Sequence, residues 1–117
     1  MAKNILIVED NDLNMKLMSD LLENAGYKIT KAYDGDMALQ LLEISDFDLM
    51  LLDIQLPKKS GYDVLNEMKK DIPTIAVSAC CMEDEILKAK VKGCIDYITK
   101  PIDIKEFVNI INGYLKK

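Results

Sequence analysis

The sequence predicts an α/β fold: a doubly wound, five-stranded parallel sheet covered by helices on both faces. Short β-rich runs alternate with longer segments of helical spacing along the whole chain. Two of the short runs, ILIV and LMLL, are apolar without interruption, which is typical of parallel strands buried on both faces. With 117 residues and no linker or low-complexity tract, we expect a single domain over residues 1–117.

Five short runs have the composition of β-strands. They are rich in β-branched and large apolar residues, which pack well on a pleated surface. The predicted strands are residues 4–8, 28–32, 48–53, 73–78 and 95–98. Because a helical segment follows each strand, the strands are expected to run parallel.

Apolar residues recur at helical spacing in the five segments that follow these strands. The predicted stripes are Leu13, Leu17, Met18, Leu21, Leu22 and Ala25; Ala38, Leu41 and Leu42; Gly61, Val64, Leu65 and Met68; residues 86–91; and Ile104, Phe107, Val108, Ile111 and Leu115. Gly26 and Gly93 end the first and fourth helices, as glycine commonly does. The fourth stripe is the least amphipathic of the five.

Composition excludes several classes of function. Twenty acidic residues against fifteen basic ones give a net charge of −5, which opposes the binding of nucleic acid. The chain contains neither histidine nor arginine, so a Ser-His-Asp triad and a histidine-ligated zinc site are both excluded. Carboxylates, lysines, thiols and hydroxyls remain to carry any chemistry.

Cysteine usage and hydropathy bear on the compartment. Cys80, Cys81 and Cys94 fit neither a CxxC pair nor a zinc-ligand spacing, and we expect them to be reduced and partly buried. No apolar run approaches the roughly 18 residues that a membrane span requires. The apolar run near the N-terminus is too short for a signal peptide. We therefore expect a cytoplasmic location and no membrane partner.

Polar residues lie where the predicted strands end. In a doubly wound sheet, ligands bind outside the carboxyl ends of the strands. Glu9 and Asp10 follow the first strand, Asp53 ends the third, Ser78 ends the fourth and Lys100 follows the fifth. Three carboxylates, one hydroxyl and one lysine are therefore expected to converge.

This set of groups suits a divalent cation and phosphoryl chemistry. Glu9, Asp10, Asp53 and Lys100 together carry a net charge of −2, which one Mg²⁺, or alternatively Mn²⁺, would neutralise. A carboxylate facing such an ion is a competent nucleophile toward phosphorus, and Lys100 and Ser78 can bind the phosphoryl oxygens. Each residue alone has a structural alternative, such as an acidic first turn of a helix. Their joint placement at successive strand ends favours the functional interpretation.

Four segments resemble the receiver domains of bacterial two-component response regulators, the CheY-like family, over the whole chain. These are LIVEDN at 6–11, LLDIQLPKKSG at 51–61, VSA at 77–79 and YITKP at 97–101. The resemblance implies a flavodoxin-like, CheY-like fold with strand order 2-1-3-4-5.

The resemblance also implies individual roles. Asp53 is the expected phosphoacceptor. Asp10 and Asp53 would hold Mg²⁺ with the backbone carbonyl of Gln55, and Glu9 would contribute partly through water. Lys100 would bind the phosphoryl group and precede a cis peptide to Pro101, while Ser78 and Tyr97 would form the switch pair.

By the same resemblance, the chain accepts a phosphoryl group from a histidine kinase or phosphotransferase and signals by binding another protein. It would catalyse its own phosphorylation and dephosphorylation without turning over an external substrate. The expected output face is built from the fourth helix, fifth strand and last helix, including Cys81, Met82, Tyr97 and Ile110.

Three alternative functions fit the sequence less well. An interaction module with a receiver fold that is never phosphorylated would usually lack one of the four residues Asp10, Asp53, Ser78 and Lys100. An aspartyl-nucleophile phosphohydrolase of the haloacid-dehalogenase type would have an acid two residues after Asp53, where Gln55 stands. A flavodoxin-like nucleotide binder is disfavoured because the loop after the first strand, EDNDLN, is acidic.

Overall fold

The computed structural model describes residues 2–80 and 82–115, in which β-strands and α-helices alternate from end to end. The elements are β1 (Asn4–Val8), α1 (Asp12–Asn24), β2 (Lys28–Ala32), α2 (Gly35–Ile44), β3 (Leu49–Asp53), α3 (Gly61–Glu67), β4 (Thr74–Ser78), α4 (Glu83–Val91), β5 (Asp96–Thr99) and α5 (Ile104–Leu115). Each predicted strand agrees with its observed bounds to within one residue.

The described strands form one parallel sheet in the order β2-β1-β3-β4-β5. This confirms the predicted fold class and strand order. The order leaves β2 and β5 at the two edges, and it places β1, β3 and β4 in the interior. The residues of the two continuous apolar runs, ILIV in β1 and LMLL in β3, are all buried, as predicted, and every residue of β4 is buried as well.

Successive residues of a strand point to opposite faces of the sheet, and the two faces have separate cores. Ile5 and Ile7 pack with residues of α1 and α5, including Phe107. Leu6 and Val8 pack on the other face with residues of α2 and α3. The helices therefore cover both faces of the sheet.

A third, smaller core lies beneath α4. Its buried members are Ile54, Ala76, Ala89 and Cys94, and partly buried Tyr62, Leu65 and Tyr97 pack against it. Within α4, Ala89 is the one buried position among the described residues. The weak amphipathicity of this segment in the sequence corresponds to its shallow packing.

Four apolar positions of the predicted helical stripes do not face the core; two of them, Leu87 and Val91, lie on α4, whose buried residue is Ala89. Leu13 is 80% exposed, because the buried face of α1 is formed by Met15, Met18 and Leu22. At about 100° per residue, Leu13 lies roughly 180° around the helix from Leu22. Ile104, at the first position of α5, is likewise exposed.

The predicted state of the cysteines is confirmed where the structure describes them. Cys80 is free and half-buried, and Cys94 is free and buried. Cys81 lies outside the described residues. No described helix combines the length and hydropathy that crossing a bilayer requires.

Local capping explains where several helices begin. Asn11 and Asp34 accept backbone N–H bonds from residues three positions along, at the starts of α1 and α2. Ser60 and Asp63 form a reciprocal capping box at the start of α3. The α1 and α3 caps lie directly beside the predicted site, so they fix the loops that carry its residues.

Candidate functional site

The carboxyl ends of three strands bring charged side chains to one end of the sheet. Glu9 and Asp10 follow β1, Asp53 ends β3, and Lys100 follows β5. Since β1 and β3 are adjacent and parallel, their ends lie side by side. The structure thus brings together the three carboxylates and the lysine that the sequence predicts.

Lys100 lies between two buried carboxylates. Its Nζ is 2.7 Å from Glu9 Oε1 and 3.0 Å from Asp53 Oδ2. Backbone amides hold the other oxygens: the Gln55 N–H donates to Asp53 Oδ1 at 2.8 Å, and the Asn11 N–H donates to Glu9 Oε2 at 3.1 Å. Both carboxylates are therefore fixed in orientation before any ligand arrives.

Burial governs the electrostatics of this cluster. Burial raises the pKa of the Glu9 carboxyl above its ordinary value; Lys100 opposes this increase, and Asp53 adds to it. Burial alone would lower the pKa of Lys100, but the nearby negative charges of Glu9 and Asp53 outweigh that effect, so its pKa is raised. Lys100 is thus a cation at neutral pH.

The carboxylates fit a hard divalent cation. One oxygen from each of Glu9, Asp10 and Asp53 lies within 4.8 Å of the others. Glu9 Oε1 is buried, and among residues 2–80 and 82–115 no donor reaches it with hydrogen-bond geometry, although Lys100 is close. Asp10 is exposed at the mouth of the cluster. Clustered carboxylate oxygens open to water on one side are the donors that Mg²⁺ prefers.

The predicted switch residues share one backbone partner. Ser78 is buried, and its Oγ accepts the Cys80 N–H at 3.2 Å. The Tyr97 hydroxyl donates to the Cys80 carbonyl at 2.7 Å. Ser78 is also bonded to the residue after β5, because its carbonyl accepts the Lys100 N–H at 2.8 Å. The peptide between Lys100 and Pro101 is cis, as the resemblance implies.

Gly61 lets α3 approach the end of β3. A Cβ added at Gly61 would lie 2.7 Å from the Asp53 carbonyl oxygen and 2.8 Å from Ile54 Cα, closer than any side chain tolerates. The Gly61 N–H donates to the Ile54 carbonyl at 3.0 Å. The first turn of α3 is consequently attached to the backbone that carries Asp53.

Sequence reasoning missed the backbone contacts of the site. The amides of Asn11 and Gln55 and both backbone groups of Cys80 orient the side chains named above. Residue type carries no signal for such contacts, apart from the position of Asn11 as a helix cap. The full burial of Glu9 was also not anticipated.

Comparisons with known proteins agree with this geometry. The family model of the response regulator receiver domain matches residues 5–112. The polar-differentiation response regulator DivK of Brucella ovis is 43% identical over 120 residues, covering 98% of each chain. The Brucella anthropi DivK matches with the same identity and coverage.

Solved structures give the same result. A CheY-like receiver domain protein from Methanospirillum hungatei superposes with a TM-score of 0.90 at 26% identity, covering 99% of this chain and 95% of that one. The receiver domain of a sensor histidine kinase from Pseudomonas aeruginosa, which has a magnesium ion coordinated in its active site cleft, superposes with a TM-score of 0.87 at 27% identity over both whole chains. This chain belongs to the response regulator receiver domain family.

Proposed function

We propose that the chain is a phosphorylation-operated signalling switch, a single receiver domain in which Asp53 accepts a phosphoryl group. The observation that carries this proposal is the setting of Asp53. Its carboxylate is buried, held by the Gln55 N–H, and lies 3.0 Å from a lysine whose charge its surroundings stabilise. A buried nucleophile beside a fixed cation is suited to accepting an anionic group.

In the proposed step, a carboxylate oxygen of Asp53 attacks the phosphorus of a phosphohistidine on a kinase or phosphotransferase. An O–P bond forms, the P–N bond breaks, and the electron pair stays on the imidazole nitrogen of the donor. Lys100 then balances charge on the phosphoryl oxygens, and Ser78 donates its hydroxyl to one of them. Because Asp53 and Lys100 are already held in place, they need little reorganisation before the transfer, and the movement of Ser78 follows it.

Mg²⁺ is the proposed cofactor, with Mn²⁺ as a substitute. Asp10, Asp53 and the Gln55 carbonyl would hold it, and Glu9 would contribute through water. When bound, the ion supplies positive charge that offsets the carboxylates and the incoming phosphoryl group. The buried Oε1 of Glu9 and the close grouping of the three carboxylates support this assignment.

The output is proposed to be binding of a downstream protein at the face formed by α4, β5 and α5. Phosphorylation would draw Ser78 toward the new oxygens and disturb its bond to the Cys80 N–H. Tyr97 would then lose its fixed acceptor on the same residue and turn inward. Met82, Tyr97 and Ile110 would supply apolar contacts; Cys81 lies outside the described residues.

Phosphorylation by acetyl phosphate with Mg²⁺ tests the proposal directly. Intact mass should show one added phosphoryl group in the parent chain and none in Asp53→Asn. Asp46→Asn, an exposed aspartate paired with Lys70 in the loop before β3, should be labelled like the parent. An adduct that persists in Asp53→Asn would show that the nucleophile is assigned wrongly, and sustained release of phosphate from an added monoester would favour the hydrolase alternative.

The proposed location is cytoplasmic. The two cysteines that the structure describes, Cys80 and Cys94, are free thiols. Free thiols persist most readily in a reducing compartment. Phosphohistidine donors would have to meet the chain there.

A further inference from the structure

Helix α4 is weakly anchored to the sheet. Ala89 is its one buried residue in the described structure, and its N-cap, Met82, makes no side-chain capping bond. With Ala89 buried and Ile86 half-buried, the helix has a small apolar contact area and depends on contacts from neighbouring elements to stay in place. The side chain of Tyr62, from α3, makes two of those contacts.

Tyr62 contacts two residues on one turn of α4. Its hydroxyl donates to Glu85 Oε2 at 2.9 Å, and Lys88 Nζ lies 4.6 Å from the centroid of its ring. Burial raises the pKa of Tyr62 well above its ordinary value, and the Glu85 carboxylate raises it further. The hydroxyl is therefore a donor throughout the ordinary pH range. We call the group Tyr62, Glu85 and Lys88 the latch.

The two ends of the latch are attached to different parts of the site. Tyr62 follows Gly61, which packs against the Asp53 carbonyl and donates to Ile54, so this end follows β3. Glu85 stands on the helix that begins just after Cys80, whose N–H is bonded to Ser78. A displacement of Ser78 relative to Asp53 is thereby transmitted to the distance between α3 and α4.

We propose that the Tyr62–Glu85 bond is a positioning contact that holds α4 in its resting place and opposes the phosphorylated form. The inference rests on the proposed function of Asp53 and deepens it. When Ser78 moves toward the phosphoryl oxygens, the loop leading into α4 moves with it, while α3 stays with β3. The latch must then open. A contact made in only one of two states shifts the equilibrium toward that state.

Binding of beryllofluoride, a phosphoryl mimic, in the presence of Mg²⁺ measures this coupling. Tyr62→Phe removes the hydroxyl and keeps the ring on Lys88. If the bond is lost on activation, this variant should bind beryllofluoride about fivefold more tightly than the parent, the factor expected for one net hydrogen bond. A contact that merely stabilises the fold would be lost equally from both states and leave the affinity unchanged. Titration calorimetry provides the measurement.

Two further variants sharpen the result. Tyr114→Phe is the matched control, because its hydroxyl donates to the Asp96 carboxylate at 2.9 Å without touching α4. It should bind beryllofluoride like the parent. Glu85→Ala should reproduce the tightening, and combining it with Tyr62→Phe should add nothing further.

The possible outcomes separate the two proposals. Equal affinities in the parent, Tyr62→Phe and Glu85→Ala would overturn the latch and leave the role of Asp53 intact. Equal tightening in Tyr114→Phe would also overturn the latch, because it would indicate general loosening. Failure of the parent itself to bind beryllofluoride would overturn the proposed function and the latch with it. If Tyr62→Phe folds poorly, the beryllofluoride affinity of Glu85→Ala alone tests the latch.

Discussion

Two regions of the sheet, one beneath α1 and α5 and one beneath α4, are covered to different depths. On the side of α1 and α5, thirteen buried apolar residues form one core, with Phe107 among the largest. Beneath α4, among the described residues, the corresponding core has four members, two of them alanines. Burying a phenylalanine contributes roughly 1.5–3 kcal/mol, whereas an alanine methyl contributes about 0.8 kcal/mol. The region beneath α1 and α5 therefore contributes more to stability, and displacing α4 should expose less apolar surface.

The helix ends and surfaces show the same contrast. α1 begins with an Asn11 side-chain cap, whereas the Met82 side chain makes no such bond at the start of α4. Val91, near the end of α4, is 84% exposed, and Leu87 on the same helix is exposed as well. Segments with few buried contacts open most easily in native proteins. Helix α4, which lies beside the predicted switch residues Ser78 and Tyr97, is therefore the least firmly packed of the compared elements.

Truncating the deep core should produce the largest effect. Phe107→Ala removes a ring that is 1% exposed and should lower the free energy of unfolding by about 3–5 kcal/mol. Urea denaturation followed by circular dichroism gives the value. Leu87→Ala on the exposed face of α4 is the control, with a change within about 0.5 kcal/mol.

The comparison fails if these two variants are equally stable. Phe107→Ala would remove a large share of a typical free energy of unfolding of about 5–15 kcal/mol, so this variant can fail to fold. In that case a milder substitution in the same core replaces it. Ile111→Val in the same core should cost about 0.5–1.5 kcal/mol.

Alkaline pH should weaken the small core beneath α4 through Cys94. Burial raises the pKa of Cys94 from the ordinary 9.0 to about 11. As pH rises, the unfolded thiol loses its proton first, so stability from the protonated native thiol is complete below pH 9 and is lost between pH 9 and about 11. The loss should reach about 2 kcal/mol.

Comparing the parent with Cys94→Ala isolates that contribution, because all other titrating groups are common to both chains. The stability difference between them should shrink, or reverse, from about pH 7 to about pH 10.5. A difference that stays constant across this range would mean that Cys94 is not held neutral in the fold.

Adding a cap to α4 should produce the smallest effect. Met82→Ser places a hydroxyl at the N-cap, three residues before Glu85, so the substitution creates the S-x-x-E pattern of a capping box. It should stabilise the first turn of α4 by about 1 kcal/mol. Native-state hydrogen exchange should show roughly fivefold slower exchange of α4 amides, with those of α1 unchanged.

Met82→Ala is the control, since it removes the same exposed side chain without offering an acceptor. If the serine and alanine variants exchange alike, the missing cap does not limit the order of α4.

The alternation of elements was predictable because burial imposes a clear period on this chain. Continuous apolar runs such as LMLL can occupy only the interior of a parallel sheet, and β3 lies there. The phase of α1 was less predictable. Leu13 and Leu17 are apolar yet lie off the face that Met15 and Leu22 bury, and polarity alone does not distinguish the two faces.

The positions of the site groups were predictable because strand ends must coincide in a parallel sheet. The nearness of Lys100 to both Glu9 and Asp53 follows from that rule. The latch was not predictable, since no periodicity or spacing links Tyr62 on one helix to Glu85 on the next. Such contacts depend on how two helices settle on the sheet, which single-sequence patterns do not report.

The strand order has a consequence for the behaviour of the chain at high concentration. Unpaired strand edges can recruit other chains into extended sheets, and proteins oppose this with charge and with short edges. One edge strand, β2, carries exposed Lys28 and Lys31. The other, β5, has four residues, and its Tyr97 N–H is already donated to Asp96 Oδ1 at 2.7 Å. Both edges therefore carry features that oppose the addition of a strand, and we expect a protein that binds beside β5 to recognise side chains there.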